Sequence, residues 1–452
     1  MGPNARLPCS LNEDCQPTLT DSPPQPRFSR GTWSDQLADR YALRFSGDLA
    51  AWFDEELWRT EGGGEFSTGL DPRALLGPAP DAVWPALMPP DLLPIVGNGA
   101  GDWLCLWVGP GGETRRVVFW YHGGGDWIPW GKTLAEAVLF GAVFERLPGP
   151  HRRHATPPEP SRTSPLPDSP VVRWAAGHLP AEVAEAWIGG LGDDELATVM
   201  LRHHVAEEAV RCELIQDALR EPLSAKLDPV AGQGIYPEWD RVVEWMFDLR
   251  RMPASIRNDW ADLFEIELDD RQDWAAVERH ASWVAERTPE LAWAWDLLGY
   301  CHHRRGCLTD AVNAYRQGVR ASAFTDQSIR LRTHWIGERC PKFSLAMLRD
   351  LDPDGVEQSP YLRSLDVADP ARRRTLVTDY WRNQTRECLD RGDGDAAYAA
   401  AYAAGWDIGA TPLADYAELL DDLRAAAALR GSDALLALAE THRACLRSRY
   451  NL

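Results

Sequence analysis

Lysine is almost missing. The 452 residues contain Lys132, Lys226 and Lys342 and no other, so the 47 basic side chains are nearly all arginine. Beside abundant alanine and proline, this reads as a compositional bias and not as an arginine-specific mechanism. No run of about 18 apolar residues occurs, which excludes a transmembrane helix. Residues 1–30 have no apolar h-region and so do not form a signal peptide, and Arg6 stands where myristoylation needs Ser or Thr. The nine cysteines are scattered, odd in number and without a C-x-x-C pair, which predicts reduced thiols and a cytoplasmic location. Basic excess is also absent. The 68 acidic residues leave a net charge of −21, so the chain lacks the basic surface that nucleic-acid binding needs.

What remains is the composition of a globular protein, with 44% hydrophobic and 25% charged residues, and it is rich in tryptophan, with 21. Pro-rich, polar stretches punctuate it. Residues 1–30 are expected to be a disordered tail and residues 148–170 a linker. Between them, residues 31–147 are mixed. Leu49, Trp52, Phe53 and Leu57 predict a helix over 47–60. Trp103–Val108 and Arg116–Tyr121 predict two strands joined by the turn Gly109–Gly112. Thr133 and Glu136 form a capping box for a helix whose apolar face is Leu134, Val138, Leu139, Val143 and Phe144. Residues 171–452 show little strand character and read as all-α. The expected fold class is therefore α+β: a small N-terminal domain with an antiparallel or mixed sheet and helices, then a larger helical domain. Both parts are acidic, at −8 for residues 31–150 and −14 for 171–452.

Within the helical part, Trp295, Leu298, Gly299, Gly306, Ala311, Tyr315 and Gly318 match the spacing of a tetratricopeptide (TPR) repeat. Small Gly299 and Ala311 permit close approach of two antiparallel helices, and Trp295 and Tyr315 fill the space around that contact. Residues 273–286 would be the second helix of a preceding repeat, placing the TPR-like region near 260–323. The alternative is an ordinary α-hairpin.

Other motifs lose to plainer readings. His122-Gly123-Gly124-Gly125 after a strand looks like a hydrolase oxyanion loop, but no G-x-S-x-G elbow follows, so an esterase using His122 is a remote alternative. Gly97-Asn98-Gly99-Ala100-Gly101 precedes a strand and lacks the dinucleotide-binding spacing. Cys301, His302, His303 and Cys307 fall on different helix faces. His203, His204, Glu207 and Glu208 offer one-face pairs but no multi-helix ligand set. No metal, no cofactor and no nucleophile–base pair are expected.

Residues from about 87 to 144 resemble the SUKH superfamily, the Smi/Knr cell-wall-regulator-like domains. Pro89-Pro90-Asp91-Leu92-Leu93-Pro94 leads into Gly97-Asn98-Gly99-Ala100-Gly101-Asp102-Trp103-Leu104-Cys105-Leu106. Val118-Phe119-Trp120-Tyr121-His122 follows, and Leu134–Phe140 takes the place of the closing helix. The resemblance spans at most residues 40–147, and the segment 122–130 is an elaboration on the pattern. It implies a non-enzymatic, protein-binding role. Bacterial members resemble immunity proteins that neutralise toxins, often nucleases, and fungal members resemble regulators of cell-wall synthesis. An acidic immunity domain would be steered toward a basic toxin. The expected partner is thus a protein, neither nucleic acid nor membrane. The expected contact surface is Asp102, Trp103, His122, Asp126, Trp127 and Trp130, because loop tryptophans are favoured binding anchors. Trp120 is expected to be core, and core is the alternative for Trp103. A scaffold recruiting a peptide through the TPR-like helices is the alternative.

Overall fold

The structure is a computed structural model that describes residues 31–60, 66, 68–122, 125–144, 147, 169–189, 193–219, 249–265, 267, 272–321, 342–408 and 412–452. The expected tail lies outside these residues, as does the expected linker apart from Ser169 and Pro170, which open a helix. The architecture is mixed, a five-stranded antiparallel sheet among many helices.

The chain enters through α1 (Trp33–Tyr41), started by a reciprocal capping box between Thr32 and Asp35, with Leu37 and Tyr41 buried. Helix α2 (Gly47–Asp54) buries Leu49, Trp52 and Phe53. It stops short of the predicted 47–60. Glu56 takes a left-handed conformation (φ 57°), and Leu57–Arg59 becomes a 3-10 turn that still buries Leu57.

The sheet is a meander, β1 (Thr68–Gly69), β2 (Leu92–Gly97), β3 (Trp103–Val108), β4 (Thr114–Trp120) and β5 (Trp127–Gly131), each paired with the next. A short helix, α3 (Pro72–Leu76), links β1 and β2. The two predicted strands are β3 and β4, and the latter runs from Thr114 to Trp120 where the reading expected Arg116 to Tyr121. Strand β5 takes up residues 127–130 of the segment 122–130 that was expected to be a loop. Pro129 fits there because β5 is an edge strand, where a missing N–H leaves no ladder bond unmade.

Both sheet faces are covered. Leu93, Ile95, Leu104, Leu106, Val117 and Phe119 meet α1, α2 and α4 (Leu134–Val143) in one core. Leu92, Cys105, Trp107, Val118, Trp120 and Trp127 face a second core built from later helices. Two-sided burial explains the unbroken apolar runs of β3 and β4. At the start of α4, Thr133 Oγ1 accepts the Glu136 N–H at 3.2 Å, but the box is not reciprocal. The Glu136 carboxylate instead accepts from the backbone of Lys132 at 2.9 Å and of Ala206 at 3.0 Å, tying α4 to a later helix.

Every described element after residue 169 is a helix. First come α5 (Pro170–Gly177), α6 (Ala181–Gly189), α7 (Asp193–Arg202) and α8 (Glu207–Leu219). Then follow α9 (Ala254–Phe264), α10 (Trp274–Arg287), α11 (Ala292–Arg304) and α12 (Leu308–Gly318). The motif residues make α11 and α12 a close hairpin. A Cβ on Gly299 would lie 2.5 Å from the Tyr315 ring, and Gly306 turns the chain at φ 77°. Trp295 Nε1 donates to the Pro289 carbonyl at 3.0 Å. Short helices α13 (Phe343–Leu351), α14 (Pro353–Gln358) and α15 (Pro360–Leu365) lead to two further hairpins. These are α16 (Pro370–Asp390) with α17 (Gly394–Trp406), and α18 (Leu413–Leu429) with α19 (Asp433–Tyr450). Trp381, Thr385, Gly392 and Ala397 repeat the intervals of Trp295, Gly299, Gly306 and Ala311. Gly392 again supplies the left-handed turn, at φ 75°.

The cores do not divide at 148–170, where a boundary between two domains was expected. Helices α5 to α8 contribute Val172, Trp187, Met200 and Val210 to the first core, and α19 adds Ala434 and Leu438. The last helix also returns to the start of the chain. Arg449 donates to the carbonyls of Pro80 at 2.7 Å and Val83 at 2.6 Å, and Arg40 donates to Thr441 Oγ1 at 3.0 Å.

Candidate functional site

The chain leaves β2 through Asn98, enters β3 after Asp102 and leaves β4 at His122, so one end of the sheet gathers all three residues. Asn98 organises the turn. Its Oδ1 accepts the N–H groups of Ala100 at 2.9 Å and Asp102 at 3.1 Å, and its Nδ2 donates to Asp102 Oδ2 at 3.0 Å. Gly101 takes φ 106°, a conformation few L residues adopt, and a Cβ there would lie 3.1 Å from the His122 ring. Glycine is therefore needed twice over at that position, for its backbone and for the imidazole lying against it.

Asp102 Oδ1 accepts both the backbone N–H of His122, at 2.9 Å, and its Nδ1, at 2.8 Å. With Nδ1 carrying the proton, Nε2 is the ring atom left to meet a partner. The carboxylate is largely covered, whereas the His122 side chain is 44% exposed. Trp84 lies beside it, its ring centroid 6.5 Å from that of His122, and is itself 37% exposed. Its loop is held by the Arg449 bonds to Pro80 and Val83. Trp103 is half-buried and presses on Gly97, where a Cβ would come within 3.0 Å of the ring.

Of the six residues expected to form a contact surface, the structure keeps Asp102, Trp103 and His122 together at this end. It withdraws the other three. Asp126 is 3% exposed, and Trp127 and Trp130 are 3% and 2% exposed. The cause is β5. Strand alternation sends Trp127 into the second core against Trp107, at 4.8 Å between centroids, and Trp130 into the first against Phe119 and Phe140. Neither can anchor a partner at the surface. Trp120 is core, fully buried. Trp84 was missed. It stands in a Pro-rich turn segment, DAVWPALMPP, with no periodic pattern to absorb a large indole, and that is the signal which points to it.

The catalytic reading gains no support from the geometry. Among the described residues no Ser, Thr or Cys side chain bonds to His122, whose ring partner is Asp102. Of the motif's glycines, Gly123 and Gly124 lie outside the described residues, and Gly125 has φ 75°. Among the described residues no group of three or more His, Cys, Asp or Glu is arranged to hold a metal ion. Cys301 is buried, and burial pushes its thiol up to about 12, so it stays protonated. His203 and His204 pair with different glutamates, Glu182 at 2.6 Å and Glu207 at 2.8 Å. Among the described residues no helix is long and apolar enough to cross a membrane.

Compared with family models, with curated proteins and with solved structures, the chain has no match.

Proposed function

We propose that the protein is a non-enzymatic, cytoplasmic protein-binding module, with a SUKH-like part around the sheet and TPR-like hairpins after it. The preferred role is immunity or regulation, by binding and neutralising a basic, nuclease-type toxin. The observation that carries this reading is the exposed cluster of Trp84 and His122 over the covered Asp102, built on glycine-dependent backbone at one end of a rigid sheet. A half-exposed indole beside an oriented imidazole is the kind of anchor that dominates protein interfaces. Resemblance to the SUKH pattern over residues 87–144 supports the toxin reading. The net charge of −21 would speed encounter with a basic partner.

The test is co-expression with a candidate toxin, scored by rescue of growth and by co-purification. Rescue is expected from the unaltered chain. Trp84→Ala is expected to weaken binding by about 30-fold, the loss of a hot-spot anchor. His122→Ala should weaken it less. Full rescue and unchanged affinity in both variants would overturn the assignment of the surface.

The recurrence of the Trp295 intervals at Trp381 favours a second reading, in which the TPR-like hairpins recruit a peptide. Binding that survives Trp84→Ala but is lost on substitutions along α11 and α16 would select it.

A further inference from the structure

A cavity of about 320 Å³ opens where β4, the turn before α4, the start of α8 and the end of α10 meet. Its lining runs against the charge of the whole molecule. Arg115, Arg116, Lys132 and Arg287 face it, with two carboxylates, Glu207 and Glu208.

Both carboxylates are already engaged. Glu207 accepts from Arg211 at 2.6 Å and pairs with His204 at 2.8 Å. Glu208 accepts from Arg116 at 2.5 Å and from the Thr288 hydroxyl at 2.6 Å. The cations are less well matched. Among the described residues no carboxylate lies within salt-bridge distance of Lys132, whose Nζ donates to the His204 carbonyl at 3.0 Å. Arg115 meets Glu290 at a loose 3.4 Å, and Arg287 stands 3.7 Å from Glu286. Arg116 is 9% exposed, and among the described residues its Nε–H has no hydrogen-bond acceptor. Holding such groups around one cavity costs Coulomb repulsion and leaves a buried donor unmet. A bound anion would offset both.

Trp283 narrows the class. Arg211 and Arg287 each sit 4.3 Å from its ring centroid. The indole therefore braces guanidinium groups and is not a free platform for a nucleobase. Guanidinium forks with a nearby ammonium suit tetrahedral, multiply charged oxyanions. The volume suits a small molecule and not a nucleic-acid strand.

We propose that this cavity is a binding site for a compact phosphate-bearing small molecule, held by Arg115, Arg116, Lys132 and Arg287. The site is independent of the Trp84–His122 surface. Because its walls come from the sheet, α8 and α10, the ligand would also brace the sheet against the helices.

The test uses the full chain, with inorganic phosphate and pyrophosphate as probes and sodium chloride at equal ionic strength as the control. Pyrophosphate is expected to raise the thermal midpoint saturably and to give a measurable heat of binding, with phosphate weaker. Lys132→Gln and Arg287→Gln are each expected to weaken pyrophosphate binding about tenfold or more, the loss of one charge-assisted contact. Both alter exposed side chains, and relief of the repulsion should leave the ligand-free midpoint no lower than that of the parent. A midpoint shift matched by sodium chloride, or equal pyrophosphate affinity in parent and both variants, would overturn the proposal.

Discussion

His442 carries the clearest cost of burial at a single residue. It is fully buried in α19, and among the described residues neither ring nitrogen has a hydrogen-bond partner. Burial, with Arg449 adding to it, pushes its pKa from the ordinary 6.5 down to about 3. Between about pH 3 and 6.5 the folded chain therefore holds His442 neutral while the unfolded chain protonates it. The associated stability is present above pH 6.5 and is lost as pH falls toward 3. At about pH 5 this one residue should cost about 2 kcal/mol relative to pH 8. His442→Leu is expected to remove most of that loss, as read from urea denaturation of parent and variant at both pH values. Equal acid sensitivity in the two proteins would refute the assignment. Asp91 is the counterexample in sign. Burial raises it to about 6 against the opposing hydrogen bond from Trp107, so its contribution falls as pH rises from 3.8 through 6.

At the scale of elements, the α11–α12 hairpin rests on one close approach. Gly299 lies against Tyr315, which is fully buried and cannot swing away. Gly299→Ala should cost about 1–3 kcal/mol by overpacking. Adding Tyr315→Leu to that variant should cost less than the sum of the two single changes, because the pair shares one contact. Strict additivity in chemical denaturation would remove the hairpin contact as the reason for glycine. That contact was legible in the sequence, since the helical period, a small residue and an aromatic 16 positions later fix one geometry. Strands β3 and β4 were legible for a similar reason, as β-branched and aromatic runs around a Gly-rich turn. Strands β2 and β5 were not, because Pro94 and Pro129 sit inside them and read as breakers. Their pairing partners, which no local pattern reveals, outweigh that signal. That difference reaches the site: in a loop Trp127 and Trp130 would be free, whereas in a strand, three residues apart, they point to opposite faces. At the other end of the sheet the cluster of Asn98, Gly101, Asp102 and His122 was half visible. The residues were singled out, but the pairing that orients His122 depends on strand register, and Trp84 arrives through a tertiary contact.

At the scale of the molecule, the Pro-rich segment 148–170 separates two stretches of sequence without separating two cores. If residues 31–147 folded alone, the sheet face carrying Cys105, Trp107, Val118, Trp120 and Trp127 would lie open to water. The helices that share its core, α8 and α10 to α13 among them, come after residue 170. Burying that face draws on several tryptophans, each worth about 1.5–3 kcal/mol or more. Further ties run the other way across the sequence, from Arg449 to Pro80 and Val83 and from Ser432 Oγ to the Pro110 carbonyl at 2.6 Å. The two stretches should therefore hold together after the chain between them is cut. A protease site placed within 148–168 and cleaved in the folded protein is expected to leave both fragments co-eluting at the mass of the parent. They should part only in denaturant and show one unfolding transition by tryptophan fluorescence. Fragments that elute separately under native conditions would mean that each stretch closes its own core. The Trp84 surface would then have to be supported without α19, whose Arg449 fastens the loop that carries it.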